Sequence, residues 1–115
     1  MMKVHDLSKL LAEQRNANRL YLEFLRVPAL SCGLYVLPAG SVDPQKPHTE
    51  DEVYYIIRGR GVIVVEGKDQ PVEAGSIVFV PAGDVHRFHS ITEELQVLVF
   101  FAPAEGRNDQ ARTAN

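Results

Sequence analysis

The 115-residue chain contains one cysteine and no tryptophan, and neither sign of charge dominates it. Cys32 alone cannot close an internal disulfide, which excludes a disulfide-stapled secreted scaffold and fits a reducing cytoplasm. No apolar stretch approaches the ~18–20 residues that span a bilayer. Residues 1–6 carry no apolar segment of the kind that directs export, so a cytoplasmic protein without a signal peptide is expected. With a formal net charge of −3, the chain offers no basic face for nucleic acid or an anionic membrane. Internal repeats, linkers and low-complexity blocks are also missing. What remains is a single domain, residues 1–115, long enough to bury one core, with 45% apolar residues.

One segment reads as helix. Asp6 or Ser8 can cap a short turn-rich run through Leu7, Leu10 and Leu11 to about Asn16, with apolar residues three and four apart. The rest reads as short strands rich in Val, Ile, Tyr and Phe over 19–26, 30–37, 53–58, 62–66, 76–80, 86–90 and 95–101. Turn residues separate them at 38–40, 59–61, 66–69, 74–75 and 81–84. So many short strands at this spacing predict a sandwich or barrel. Residues 105–115 are polar and read as a loose tail.

Chemistry concentrates in two stretches. The first reads Gly40, five residues, Lys46, one residue, His48, three residues, Glu52, six residues, Gly59; the second reads Gly75, five residues, Pro81-Ala82-Gly83, two residues, His86, three residues, Ser90. If the chain from His48 onward is extended, His48, Glu50, Glu52, Tyr54 and Ile56 share one face, with Lys46 in phase. The same count groups His86, Phe88 and Ser90 and turns Arg87 and His89 outward. His89 and His5 then read as ordinary surface or hydrogen-bonded histidines, and Cys32 as a small buried hydrophobe.

Together the two stretches resemble the paired motifs of the cupin superfamily, from about Leu30 to Pro103. The resemblance implies an all-β, cupin-type jelly-roll barrel (double-stranded β-helix) over 30–103. A short N-terminal helix and first strand occupy 1–29, and a polar tail 104–115. It also implies a divalent metal ion held by His48, Glu52 and His86. Two departures stand out: the first ligand position of the family is Lys46, and the Asn that ordinarily ends the second motif is Ser90. A protonated lysine is no ligand, so three protein ligands remain. Two imidazoles and one carboxylate suit iron, and equally zinc, manganese or nickel with open positions for water or substrate. Glu50 and Gln45 are candidates for a further oxygen if their loop folds inward.

Lys46 has three readings: an ammonium in solvent at the barrel mouth, a rim ion pair with Glu50 or Asp51, or a side chain reaching inward to hold a substrate carboxylate or phosphate, or to act as a general base if burial lowers its pKa. Tyr54 and Phe88, with Phe79 or Tyr35, are expected to line the pocket, and Tyr54 is the candidate proton donor or acceptor. Three functions stay open. One is a metal-dependent enzyme acting on a small oxygen-rich organic substrate, of oxygenase, isomerase or lyase type. Another is a module that binds a small organic acid or sugar without metal through Lys46, Glu52, His48 and His86. The last is metal-free acid/base catalysis by a histidine paired with Glu52. Several strands are apolar on both faces, notably 54–57, 62–65 and 98–101, and such outward surface needs cover. A homodimer is predicted, the alternative being cover by the chain's own helix and first strand.

Overall fold

The computed structural model describes residues 2–45 and 47–106. Lys46 and most of the expected polar tail lie outside the described residues. In chain order the elements are helix α1 (Leu7–Asn16) and strands β1 (Tyr21–Val27), β2 (Leu30–Leu37), β3 (Asp51–Val65), β4 (Lys68–Glu73), β5 (Ile77–Val80) and β6 (His86–Ala102).

Asp6 caps α1, its carboxylate accepting from the Ser8 N–H at 2.9 Å, which satisfies one of the orphan donors of the first turn. At the other end the Gln14 amide donates to the Arg19 carbonyl at 2.9 Å and ties the helix to the chain entering β1. Leu10 and Leu11 pack with Phe24, Leu34, Val36, Ile57 and Leu98. The helix therefore covers part of the outer apolar sheet surface, in keeping with cover by the chain's own N-terminal segment. It does not reach Tyr55, Ile77 and Phe79, which stay 39%, 72% and 60% exposed.

The strands run antiparallel in the order β1-β2-β6-β3-β4, with β5 on the free side of β3. β3 and β6 are too long for one layer. The first part of β3 lies between β5 and the end of β6, and its last part lies between β4 and the start of β6. Between Ile56 and Val62 the β3–β6 register shifts three times, and irregularities of this kind bend a ladder and sharpen its twist. One strand pair thus serves both layers of an all-β jelly roll of the double-stranded β-helix type. Its interior holds Leu37, Tyr54, Ile56, Ile63, Phe88, Leu95 and Val97, all at most 1% exposed; each such side chain contributes about 1.5–3 kcal/mol by leaving water.

Several local expectations change. The segments 53–58 and 62–66, and likewise 86–90 and 95–101, are single bent strands, because glycines and bulges absorb the curvature without breaking the ladder. The turn expected over 66–69 is confined to Glu66 and Gly67, both at positive φ (47° and 77°), as a two-residue hairpin turn requires. Lys68 accordingly opens β4, a strand not foreseen because its polar sequence and Pro71 lack a strand pattern; only Val72 is buried. Ser90 does not share the inward face of His86 and Phe88. It sits at φ 50° and is exposed, shifting the alternation by one so that Ile91 turns inward.

The bend at Gly59 admits no side chain. Its φ is +103° and a Cβ there would lie 2.1 Å from the Glu94 carbonyl oxygen. Gly59→Ala is expected to cost more than about 2 kcal/mol, read as a lowered urea midpoint at unchanged slope.

Candidate functional site

The two sequence stretches meet through the backbone. The Gly83 N–H donates to the His48 carbonyl at 2.7 Å, and the Ala82 N–H to Asp51 Oδ1 at 2.8 Å, so the turn of the second stretch is pinned to the loop of the first. Glu52 lies opposite Val80 of β5 and Phe101 of β6, while His86 opens β6 opposite Val65. Strand alternation sends both side chains into the barrel, and His48 reaches the same point from the loop before β3. One ligand atom from each of His48, Glu52 and His86 lies within 4.8 Å of the others.

The inner pair is almost wholly buried. His86 Nε2 stands 2.7 Å from Glu52 Oε1, both side chains being 1% exposed. The contact is close enough for an ion pair but out of hydrogen-bond alignment, since Nε2 and both Glu52 oxygens lack a hydrogen-bond partner. On the far side of the ring, His86 Nδ1 lies 2.7 Å from the Asp84 carbonyl. A carbonyl only accepts, so Nδ1 carries a proton, and in its neutral form the ring turns its Nε2 lone pair toward Glu52. Burial alone would lower the His86 pKa; the facing Glu52, the Asp84 carbonyl and the Asp43 charge outweigh it and hold the group above its ordinary value. Two lone-pair-bearing groups aimed at each other out of water are expensive unless a cation or proton lies between them. A divalent ion fits these orphaned atoms, and His86 already has the backbone partner that orients a ligating imidazole.

On the His48 side of this centre lies a cavity of about 110 Å³ lined by Tyr21, Tyr35, Gln45, His48, Tyr54, Val99, Phe101 and Glu105. Burial, reinforced by the Glu52 charge, pushes Tyr54 well up, so its hydroxyl stays protonated at neutral pH and donates to Gln45 Oε1 at 3.0 Å. Tyr35 and Tyr21 are raised in the same way, first by burial and then by the hydrogen bond to Asp43 and by the Glu105 charge respectively. Phe88 is fully buried and packs its ring 5.0 Å from that of Tyr54, behind the cavity wall. Glu50 is 2% exposed and accepts from the Thr49 hydroxyl, and it does not line the cavity. Phe79 is outward on β5. His89 lies on the surface, 2.8 Å from Asp69.

Three contributors were not foreseen. Glu105 reaches back from beyond β6 to place Oε2 3.4 Å from His48 Nδ1, and burial raises its pKa. Tyr21 enters from β1, its ring occupying space that a side chain at position 33 would fill, since a Cβ on Gly33 would stand 2.1 Å from the ring. A glycine inside an apolar strand marks such an approach, and Gly33 was the available signal. Asp43, 4% exposed, accepts from the Tyr35 hydroxyl at 2.5 Å, the Gln45 N–H at 3.1 Å, the Gln45 amide at 2.6 Å and the Phe88 N–H at 2.8 Å.

This fold and site define the chain's class. Residues 33–102 match the cupin domain, and the chain belongs to the cupin family. Across 90% of its length it is 49% identical to an uncharacterized protein of Streptomyces coelicolor, covering 99% of that protein. It is 27% identical, over 90% of its length, to an acireductone dioxygenase of Bacillus cereus, of which it spans only 54%. Among solved structures, a predicted oxalate decarboxylase of Thermotoga maritima superposes with a TM-score of 0.63 at 29% identity, over 72% of this chain and 78% of the other.

Replacing Asp43 by Asn removes the charge that four donors share and sets an amide N–H₂ against two of them, since each carboxylate oxygen accepts from two. Asp43→Asn is expected to cost about 2–4 kcal/mol, measured by urea unfolding of the metal-free protein.

Proposed function

We propose that this protein is a small metal-dependent enzyme in which His48, Glu52 and His86 hold a divalent ion and a small oxygen-rich organic molecule is the substrate. The observation that carries the reading is the buried pair of Glu52 and His86, whose facing oxygen and nitrogen atoms have no hydrogen-bond partner. When bound, such an ion supplies Lewis-acid polarisation of a substrate oxygen, and iron adds oxygen chemistry. The chain's own residues do the rest. Val99 and Phe101 keep water from the inner wall, Tyr54 presents a protonated hydroxyl, and Glu105 holds a carboxylate beside His48. A cavity of only about 110 Å³ favours a substrate of few non-hydrogen atoms. Oxygenase and decarboxylase names among the relatives are compatible with this class. Lys46 remains the candidate for holding a substrate carboxylate or phosphate.

A metal-free reading has one observation in its favour. At 2.7 Å, a proton between His86 and Glu52 would make an imidazolium–carboxylate pair suited to binding or acid/base work without an ion. Elemental analysis of untagged protein, purified without chelator, separates the two readings. Near-stoichiometric iron, manganese, nickel or zinc, lost in His86→Ala, is the expected result. Absence of metal, with none taken up on adding these ions, overturns the metalloenzyme reading in favour of the metal-free one.

The apolar strip left open on Tyr55, Ile77 and Phe79 supports a homodimer formed across this sheet face. Sedimentation at micromolar concentration should show a dimer for the native chain and a monomer for Phe79→Ser; a native monomer would sink the dimer.

A further inference from the structure

We propose that Gln45 supplies a fourth protein ligand, its amide oxygen standing in for the imidazole that position 46 lacks. This rests on reading His48, Glu52 and His86 as a metal site. Gln45 Oε1 lies 3.2 Å from His48 Nε2. Two ligands bound at ~2.1 Å to one cation, ~90–109° apart, stand ~3.0–3.4 Å from each other. The observed separation falls in that range, so the oxygen and the nitrogen are spaced as neighbouring ligands of one ion.

The orientation of the amide is set independently. Gln45 Nε2 lies 2.6 Å from Asp43 Oδ2. A carboxylate only accepts, so the N–H₂ end must face Asp43 and the oxygen must face the cavity. Asp43 is itself anchored by the Tyr35 hydroxyl and the Phe88 N–H, so it cannot turn away without breaking both bonds. The Tyr54 hydroxyl donates to Oε1 at 3.0 Å and uses one lone pair; the other faces His48 Nε2 at hydrogen-bond distance, a contact that a cation held between the two atoms would replace. Glu50, the rival on sequence grounds, has its carboxylate bonded to Thr49 and is not among the residues that line the cavity.

Strand parity hides this residue, since Gln45 is out of phase with His48. Residues 41–45 form no strand, however, and the alternation that would aim position 45 outward does not apply there. A neutral amide preserves the charge balance of an imidazole and makes the set two nitrogens and two oxygens. Such a set leans toward manganese, iron, cobalt or zinc.

The test loads metal-free protein with Co²⁺ and Zn²⁺. Co²⁺ binding, followed by its visible absorption and by chelator competition, is compared among the native chain, Gln45→Met and His86→Ala. Gln45→Met keeps the side-chain length and removes the oxygen. At least a tenfold loss of affinity with an altered spectrum is expected for Gln45→Met, and no binding for His86→Ala. Affinity within twofold of native for Gln45→Met, with His86→Ala still inactive in binding, removes Gln45 from the ligand set and leaves the three-residue site standing. A native chain that binds neither ion removes the site and this inference together. Should Gln45→Met not fold, the side-chain amide resonances of Gln45 in the native protein decide: they must move on saturation with Zn²⁺, and unmoved signals overturn the assignment.

Discussion

The pairing of β3 with β6 is the constraint on which the molecule depends. These two strands share both layers of the barrel, and their register slips between Ile56 and Val62 turn one ladder into two facing walls. Glu52 sits near the start of β3 and His86 at the start of β6, so sequence distance is converted into contact only when the bend is made. Gly59 permits it, since its positive φ and the Glu94 carbonyl beside it leave room for hydrogen alone. Stability of the fold and convergence of the site are therefore the same event.

Around that frame the polar interior is organised from the loop before β3. Asp43 gathers two backbone N–H groups, a tyrosine hydroxyl and an amide on one buried carboxylate. A buried charge needs such compensation, and in receiving it Asp43 joins β2, the loop and β6. The cavity inherits its polarity from this joint. Tyr35 and Gln45 face it because Asp43 holds them, and Tyr54 points at Gln45 because burial keeps its hydroxyl protonated and in need of an acceptor.

How much of this was legible follows from the range of the interactions. Strand alternation correctly turned Glu52, Tyr54 and Ile56 inward together, and His86 with Phe88, because period-two geometry is local. It failed at Ser90, where a residue at positive φ inserts a bulge, and at Lys68–Glu73, whose edge position tolerates polar residues and a proline. Of the two alternatives for the pocket wall, Tyr35 lines the cavity and Phe79 lies outside. Its surroundings show why: β5 has a partner on one side only and an outer face that α1 does not reach. Asp43, Tyr21 and Glu105 carried no motif, since each acts through partners distant in the chain.

What the amino-acid sequence determined by itself was the family, the jelly roll and the identity of three candidate ligands. Each of these follows from residue type at short spacing, where turns, alternation and motif order leave few alternatives. The tertiary structure alone decided which further groups meet them. The orientation of the Gln45 amide depends on a carboxylate anchored from two other strands, the Tyr21 ring depends on the absence of a side chain at Gly33, and Glu105 depends on how the chain returns after β6. These are contacts between segments whose separation in sequence carries no period to read, and only closure of the barrel brings them within bonding distance.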